Sequence, residues 1–167
     1  YYFYSYFLVK DEGPINFYVP TGNFGDVYAG YLSKKLGLPI NRLIVATNKN
    51  DILDRAISKG KYEVENVFET NSPSMDIQIA SNFERLIYDL NDCDDVKTKN
   101  IMKGIKKEGK YILSKEILEK INKNFLSASL NEDEILKVIK DVYEKHKIIL
   151  DPHSAIAFGA LKNKINL

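Results

Sequence analysis

Residues 15–46 constrain the fold more than any other part of the chain. Ile15-Asn16-Phe17-Tyr18-Val19 is a short β-rich run that stops at Pro20, and it reads as a strand leaving a sheet at its carboxyl end. Thr21-Gly22-Asn23-Phe24-Gly25-Asp26 follows. Val27 to Leu36 then carries apolar residues at Val27, Tyr28, Tyr31, Leu32 and Leu36, close to helical spacing, and Gly37 closes it. Leu43-Ile44-Val45-Ala46 is a continuous apolar run of strand length, as expected for a strand covered on both faces. Strand, glycine turn, helix and buried strand make one βαβ unit. The expected class is therefore α/β, with a mixed or largely parallel sheet flanked by helices.

The rest of the chain supplies helices. Asp51 to Ser58 reads as one, closed by Gly60, and Ser81 to Leu90 as another with Phe83, Leu86, Ile87 and Leu90 on one side. Asn71-Ser72-Pro73-Ser74 between them is loop chemistry. The lysine-rich stretch from Asp94 to Lys110 has a sparse apolar side and reads as a solvated helix, not a binding patch. Asn131 with Glu134 forms a capping box for a helix through Val138, Ile139 and Val142, and Asp151-Pro152 is an N-cap residue followed by proline at the first helical position. The aromatic opening, Tyr1 to Phe7, reads as a buried element separated from its neighbours in a chain that begins inside something longer.

Charge and composition exclude several classes of function. Lys+Arg number 24 against 23 for Asp+Glu, a net charge of +1, so no global field recruits nucleic acid or an anionic membrane and any anion site must be local. The longest apolar stretch, Tyr1 to Val9, is roughly half a membrane-spanning length. Cys93 is the single cysteine, so no internal disulfide forms. No Cys/His cluster has zinc spacing either, and a reducing, cytoplasmic setting with no metal follows.

Gly22-Asn23-Phe24-Gly25-Asp26 is the best candidate for chemistry. Two glycines let the backbone turn tightly at a helix start, where free amides and the helix dipole favour a phosphate. The run has neither the lysine of a Walker loop nor the glycine spacing of the dinucleotide fingerprint, which disfavours a nucleoside triphosphate or NAD. Asp26 is the internal objection. Its carboxylate either points away or occupies the same amides and repels a dianion.

Val19-Pro20-Thr21-Gly22-Asn23-Phe24-Gly25-Asp26, with Ala29-Gly30-Tyr31 and Lys34-Lys35-Leu36-Gly37-Leu38-Pro39, closely resembles threonine synthase. Further blocks resemble that family in the same order: Leu43 to Asn48 with Asn50-Asp51-Ile52-Leu53, Ser72 to Ile77, Ser81 to Leu86, and Leu150-Asp151-Pro152-His153-Ser154-Ala155. The resemblance implies a pyridoxal 5'-phosphate enzyme of the second fold type (tryptophan synthase β-like), a lyase that converts O-phospho-L-homoserine and water into L-threonine and phosphate. It further implies that Gly22, Asn23, Phe24, Gly25 and Asp26 surround the cofactor phosphate, with the loop amides and the Asn23 side chain as donors. Beside the resemblance, His153 at a helix start after proline reads as a contact to substrate or cofactor or as a structural cap, Ser154 as a first-turn hydroxyl or a substrate contact, and Asp151 as the N-cap. Residues 1–167 would cover most of the coenzyme-binding domain, with 1–12 as the end of the smaller one.

In that family the lysine that bonds the cofactor lies upstream of the region present here. A Thr-Ala-His-Pro-like segment that meets the pyridine nitrogen lies beyond Leu167. No catalytic residue is therefore assigned within the chain, and the chain alone is expected to be inactive. The alternative is a non-catalytic threonine-synthase-like protein that keeps the phosphate cradle and binds a phosphorylated metabolite. Neither reading requires a nucleic acid or membrane partner, and the sequence leaves the oligomeric state open.

Overall fold

The computed structural model describes residues 1–10 and 13–163, so Asp11 and Glu12 of the 1–12 segment lie outside the described residues. In chain order the elements are α1 (Tyr2–Leu8), β1 (Ile15–Pro20), α2 (Gly25–Lys35), β2 (Ile40–Thr47), α3 (Ile52–Lys59), β3 (Lys61–Glu63), a 3-10 turn (Pro73–Met75), α4 (Phe83–Leu90) and α5 (Asp95–Glu108). β4 (Lys110–Ile112), α6 (Lys115–Asn122), β5 (Phe125–Ser129), α7 (Glu132–His146) and α8 (Pro152–Asn163) complete them. β1, β2 and β5 form a parallel sheet in the order β1-β2-β5, and β3 pairs antiparallel with β4 in a small ribbon.

β2 is central because its side chains are apolar on both faces. Leu43 and Val45 join a core with Phe24, Val27, Leu53, Phe83 and Phe125, whereas Ile44 and Ala46 join a second core with Leu130, Ile135, Val138 and Ile156. The period of two along the strand divides these residues between the two cores. Helices α2, α3 and α4 thus cover one face, and α7 and α8 the other. The expected α/β architecture, with its parallel sheet flanked by helices, is the one observed.

Register aligns the strand ends. Val19 sits beside Val45, Pro20 beside Ala46, and Thr47 beside Ser129, so Thr21, Asn48 and Leu130 leave the sheet at one edge. Backbone bonds continue the ladder past the strands, from Thr21 N–H to the Ala46 carbonyl (2.8 Å) and from Leu130 N–H to the Thr47 carbonyl (3.0 Å). This fixes the geometry of the loops at the carboxyl edge, where open α/β sheets bind ligands.

The aromatic opening is largely exposed in this chain. Only Tyr2 of α1 is buried, whereas Tyr1, Phe3, Tyr4, Phe7 and Leu8 are exposed. A helix this short lying on α2 can bury one stripe, and Tyr2 supplies it by packing edge-on against Phe17 and donating its hydroxyl to the Asp26 carbonyl (3.0 Å). Leu32 of α2 and Leu36 just after it are exposed, and the packed face of the helix is carried by Val27, Tyr28 and Tyr31. α5 is the solvated helix that the sequence indicates, with Thr98 its only buried residue.

α7 and α8 pack closely enough to exclude a side chain at Gly159. A Cβ there would lie 2.3 Å from Leu130 Cδ2 and 3.0 Å from Val138 Cγ2. Alanine in a helix interior is ordinarily favoured over glycine by about 1 kcal/mol. Overpacking of about 1–3 kcal/mol outweighs that here. Gly159→Ala is expected to lower stability by about 1–2 kcal/mol in urea unfolding, and a gain would contradict this packing.

Candidate functional site

The residue that shapes the glycine turn is Phe24. It takes the left-handed conformation, φ 68° and ψ 0°, directly before α2. This conformation costs a non-glycine residue roughly 1–2 kcal/mol. The Phe24 ring is 1% exposed and packs edge-on against Phe83 (5.2 Å) and tilted against Phe125 (5.7 Å). Burial of such a ring contributes roughly 1.5–3 kcal/mol, enough to hold the backbone in place. Aromatic packing therefore imposes the bend that the glycines alone would only permit.

The two glycines serve another purpose. A Cβ on Gly22 would lie 2.9 Å from the Ser74 carbonyl oxygen, and one on Gly25 would lie 3.2 Å from Asn82 Nδ2. Both positions are glycine because neighbouring loops press against the turn. Neither has the positive φ, which falls on Phe24.

The N–H groups of Gly22, Asn23, Phe24, Gly25, Asp26 and Val27 donate to no acceptor among the described residues; the first amide to turn inward is that of Tyr28, to the Phe24 carbonyl (3.0 Å). A left-handed residue ahead of a helix start gathers such amides into a concavity suited to an anion. The Asp26 carboxylate is exposed and bonds none of these amides, so it does not occupy the turn. Of the two alternatives for Asp26, the first is the one observed.

Asn23 clamps the turn from outside. Its Oδ1 accepts from the Ser81 amide (2.6 Å) and hydroxyl (2.8 Å), and its carbonyl accepts from Asn82 Nδ2 (3.0 Å). The carbonyl end of the side chain is thus committed, leaving Nδ2 as its donor. On the other side lies a knot of buried polar groups. Asn48, fully buried, donates through Nδ2 to Thr70 Oγ1 (2.9 Å), Ser72 Oγ (2.9 Å) and Asp76 Oδ1 (2.8 Å). Asp76 also accepts from Asn50 Nδ2 (3.0 Å) and from the amide (2.8 Å) and hydroxyl (2.6 Å) of Thr70. These bonds hold the Ser72–Asp76 loop against Gly22. Ser72 and Asp76 therefore shape the loop, while Ser74 is exposed. Thr47 Oγ1, at the end of β2, is buried without a partner.

His153 and Ser154 sit on the first turn of α8, with no bond to residues 22–26. Asp151 caps the helix: its Oδ1 accepts from the Ser154 amide (2.9 Å) and its Oδ2 holds His153 Nδ1 (2.9 Å). With Nδ1 donating to the carboxylate, Nε2 of a neutral His153 is an acceptor, and it is buried without a partner. α8 packs on α7, with Val138 beside Gly159 and Lys162 paired with Asp141 (3.2 Å). Glu132, on the first turn of α7, accepts from the Asn71 amide and side chain. No cluster of His, Cys, Asp or Glu among the described residues could hold a metal ion, and no described helix is long and apolar enough to cross a membrane.

Comparison with known proteins gives this geometry a context. A threonine synthase of Saccharomyces cerevisiae is 44% identical over 99% of this chain. A crystal structure of PLP-bound threonine synthase from Brucella melitensis superposes with a TM-score of 0.95 at 43% identity over 100% of the chain. The yeast threonine synthase structure gives 0.92 at 42% identity over 97%. This chain is similar to the threonine synthases. It spans about a third of their length, 35% of the curated yeast protein and 36% of the Brucella chain. No family model matches. The fold is that of the threonine synthase structures over the segment shared with them.

The site residues carried by the resemblance fall into two groups. Gly22 to Asp26 are brought together as one turn, and His153 with Ser154 form a separate group on α8. Sequence reasoning passed over Asn48, Asn50 and Thr70 as partners of Asp76, and the Asn23–Ser81 clamp. Asn48, Asn50, Asp76 and Ser81 all lay within the blocks that resemble threonine synthase. Asparagines closing an apolar strand are a usable signal, because a buried amide must find partners.

Two outcomes test this account. Asp76→Asn replaces an oxygen that only accepts with a donor facing other donors, and should cost about 1–3 kcal/mol in thermal unfolding; an unchanged midpoint would contradict the knot. The second concerns acid. Hydrogen bonds from Ser154, hydroxyl and then amide, with His153 adding to them, hold the Asp151 carboxyl at about 2. A lowered folded-state pKa gives a contribution present above the unfolded value, about 4, and lost as pH falls toward 2. The stability difference between the parent and Asp151→Asn should shrink across that window, and a pH-independent difference would contradict the assignment.

Proposed function

We propose that this chain is the coenzyme-phosphate-binding part of a threonine synthase. The whole enzyme would be a pyridoxal 5'-phosphate-dependent lyase that converts O-phospho-L-homoserine and water into L-threonine and phosphate in amino-acid biosynthesis. The observation that carries the reading is the run of acceptor-free amides from Gly22 to Val27. In this reading residues 1–167 form most of the coenzyme domain and 1–12 end the smaller one. A cytoplasmic setting fits the single unpaired cysteine, Cys93.

The residues present fit the coenzyme's phosphate. Gly22, Asn23, Phe24 and Gly25 offer main-chain donors at the start of a helix, and Asn23 Nδ2 adds a neutral side-chain donor. No Cβ obstructs the approach at either glycine, and Asp26 leaves the amides free. When bound, the coenzyme supplies the electron sink that makes protons next to a substrate nitrogen acidic. The chain's own part is to orient it. Phe24 fixes the direction of the amides, Asn23 and Asp76 fix the loops on either side, and the helix dipole offsets about half a charge. Asp151 orients His153 by bonding its Nδ1, which leaves Nε2 as the ring nitrogen free to meet substrate. The reading assigns the covalent lysine to none of residues 1–167.

The test compares pyridoxal 5'-phosphate with pyridoxal by fluorescence titration, in the parent and in Gly22→Ala. Recognition through the phosphate predicts at least tenfold tighter binding of the phosphorylated form, about what charge-assisted bonds supply, and loss of that preference in the variant. Phe24→Leu, which keeps an apolar anchor, should weaken the preference without abolishing folding. Equal affinity for the two compounds would overturn the reading.

A further inference from the structure

The one buried side chain of α1 reaches the helix that begins at the glycine turn. Tyr2 is 7% exposed, its ring meets Phe17 edge-on at 4.8 Å, and its hydroxyl donates to the Asp26 carbonyl (3.0 Å) in the first turn of α2. The ring lies against Gly30, one helical turn further along α2. A Cβ there would come within 2.6 Å of Tyr2 Cε1, 2.7 Å of its Cζ and 2.8 Å of Leu43 Cδ2. Glycine weakens a helix interior, and at this position it opens the slot that the ring occupies. Asp26 and Gly30 share one face of the helix, so a ring seated at Gly30 delivers its hydroxyl to the Asp26 carbonyl.

That carbonyl is one end of a peptide group whose other end is the Val27 N–H. In a trans peptide the two point in opposite directions. The Val27 N–H belongs to the acceptor-free set of the turn, and the carbonyl that a continuing helix would offer it, that of Asn23, is bonded instead by the Asn82 side chain (3.0 Å) and amide (3.3 Å). Tyr2 thus donates to the back of a peptide whose front is open to an anion. Hydrogen bonds in series polarise one another, so a donor at the carbonyl makes the N–H on the far side a stronger donor.

We propose that Tyr2 is a positioning residue of the phosphate turn: its hydroxyl fixes and polarises the Asp26–Val27 peptide, and the Val27 N–H thereby joins the amides that hold the coenzyme phosphate. The proposal rests on the coenzyme reading above and adds to it a residue from outside the turn. Tyr2 acts through the peptide and does not touch the anion. Burial, and after it the negative charge of Asp26, push the Tyr2 phenol above its ordinary range, so it remains a donor and not a phenolate. α1 has no other buried side chain, which makes this contact its link to the turn.

Fluorescence titrations with pyridoxal 5'-phosphate and with pyridoxal test the assignment in Tyr2→Phe and in the protein carrying 3-fluorotyrosine at position 2. Phenylalanine keeps the ring against Phe17 and Gly30 and removes the donor alone, so the fold is retained. The fluorinated ring keeps the donor and makes it more acidic. Tyr2→Phe should weaken binding of the phosphorylated compound about threefold and leave pyridoxal unmoved, and 3-fluorotyrosine should bind the phosphorylated compound more tightly than the parent does. Equal weakening of both compounds would reduce Tyr2 to a packing role and overturn the proposal. A fluorinated protein that binds no more tightly than the parent would overturn it as well. A preference for the phosphorylated compound that survives Tyr2→Phe intact overturns this proposal alone, whereas a parent with no such preference overturns the coenzyme reading and this proposal with it.

Discussion

The packing of one phenyl ring against two others governs this structure. Phe24 is held in the left-handed region because its ring is wedged between Phe83 of α4 and Phe125 of β5. Residues far apart in sequence thus determine the direction in which the amides after β1 point. Tyr62 extends the cluster by stacking on Phe83 at 5.4 Å, and its hydroxyl accepts from the Ala80 amide. The backbone strain at Phe24 lies at the site that would use it, as expected where binding needs donors fixed beforehand.

Around that ring cluster, polar groups do the positioning. The carboxyl edge of the sheet is closed by asparagines whose side chains mimic missing strands, with Asn48 and Asn50 bonding main chain and Asp76 together. Buried polar networks of this kind specify one arrangement only when every member is satisfied. Arg55, buried on α3, links Asp51, the Glu63 carbonyl and Gln78. The glycine turn is thereby held between two fixed loops and has little freedom to collapse onto its own amides.

The βαβ unit was legible because its signals are local. A strand ended by proline, a glycine turn, helical periodicity and an all-apolar run each depend on residues within a few positions of one another. The caps at Asn131 and Asp151 were legible for the same reason, and both form. β5 and the β3–β4 ribbon gave no comparable signal. Phe125-Leu126-Ser127-Ala128-Ser129 is a weak strand former that becomes a strand by pairing with β2. The turn's location could be read, but its mechanism could not, since the left-handed residue is a phenylalanine selected by tertiary packing.

Hydrogen exchange at single-residue resolution tests the central claim most directly. Without ligand, the amides of Gly22 to Val27 should exchange at rates near those of an unstructured chain, while Tyr28 and the Leu43–Ala46 strand are protected. Addition of pyridoxal 5'-phosphate, but not pyridoxal, should slow exchange at Asn23, Phe24 and Gly25. If those amides are already protected without ligand, or stay fast when the phosphorylated coenzyme is present at saturation, the turn is not the phosphate cradle described here.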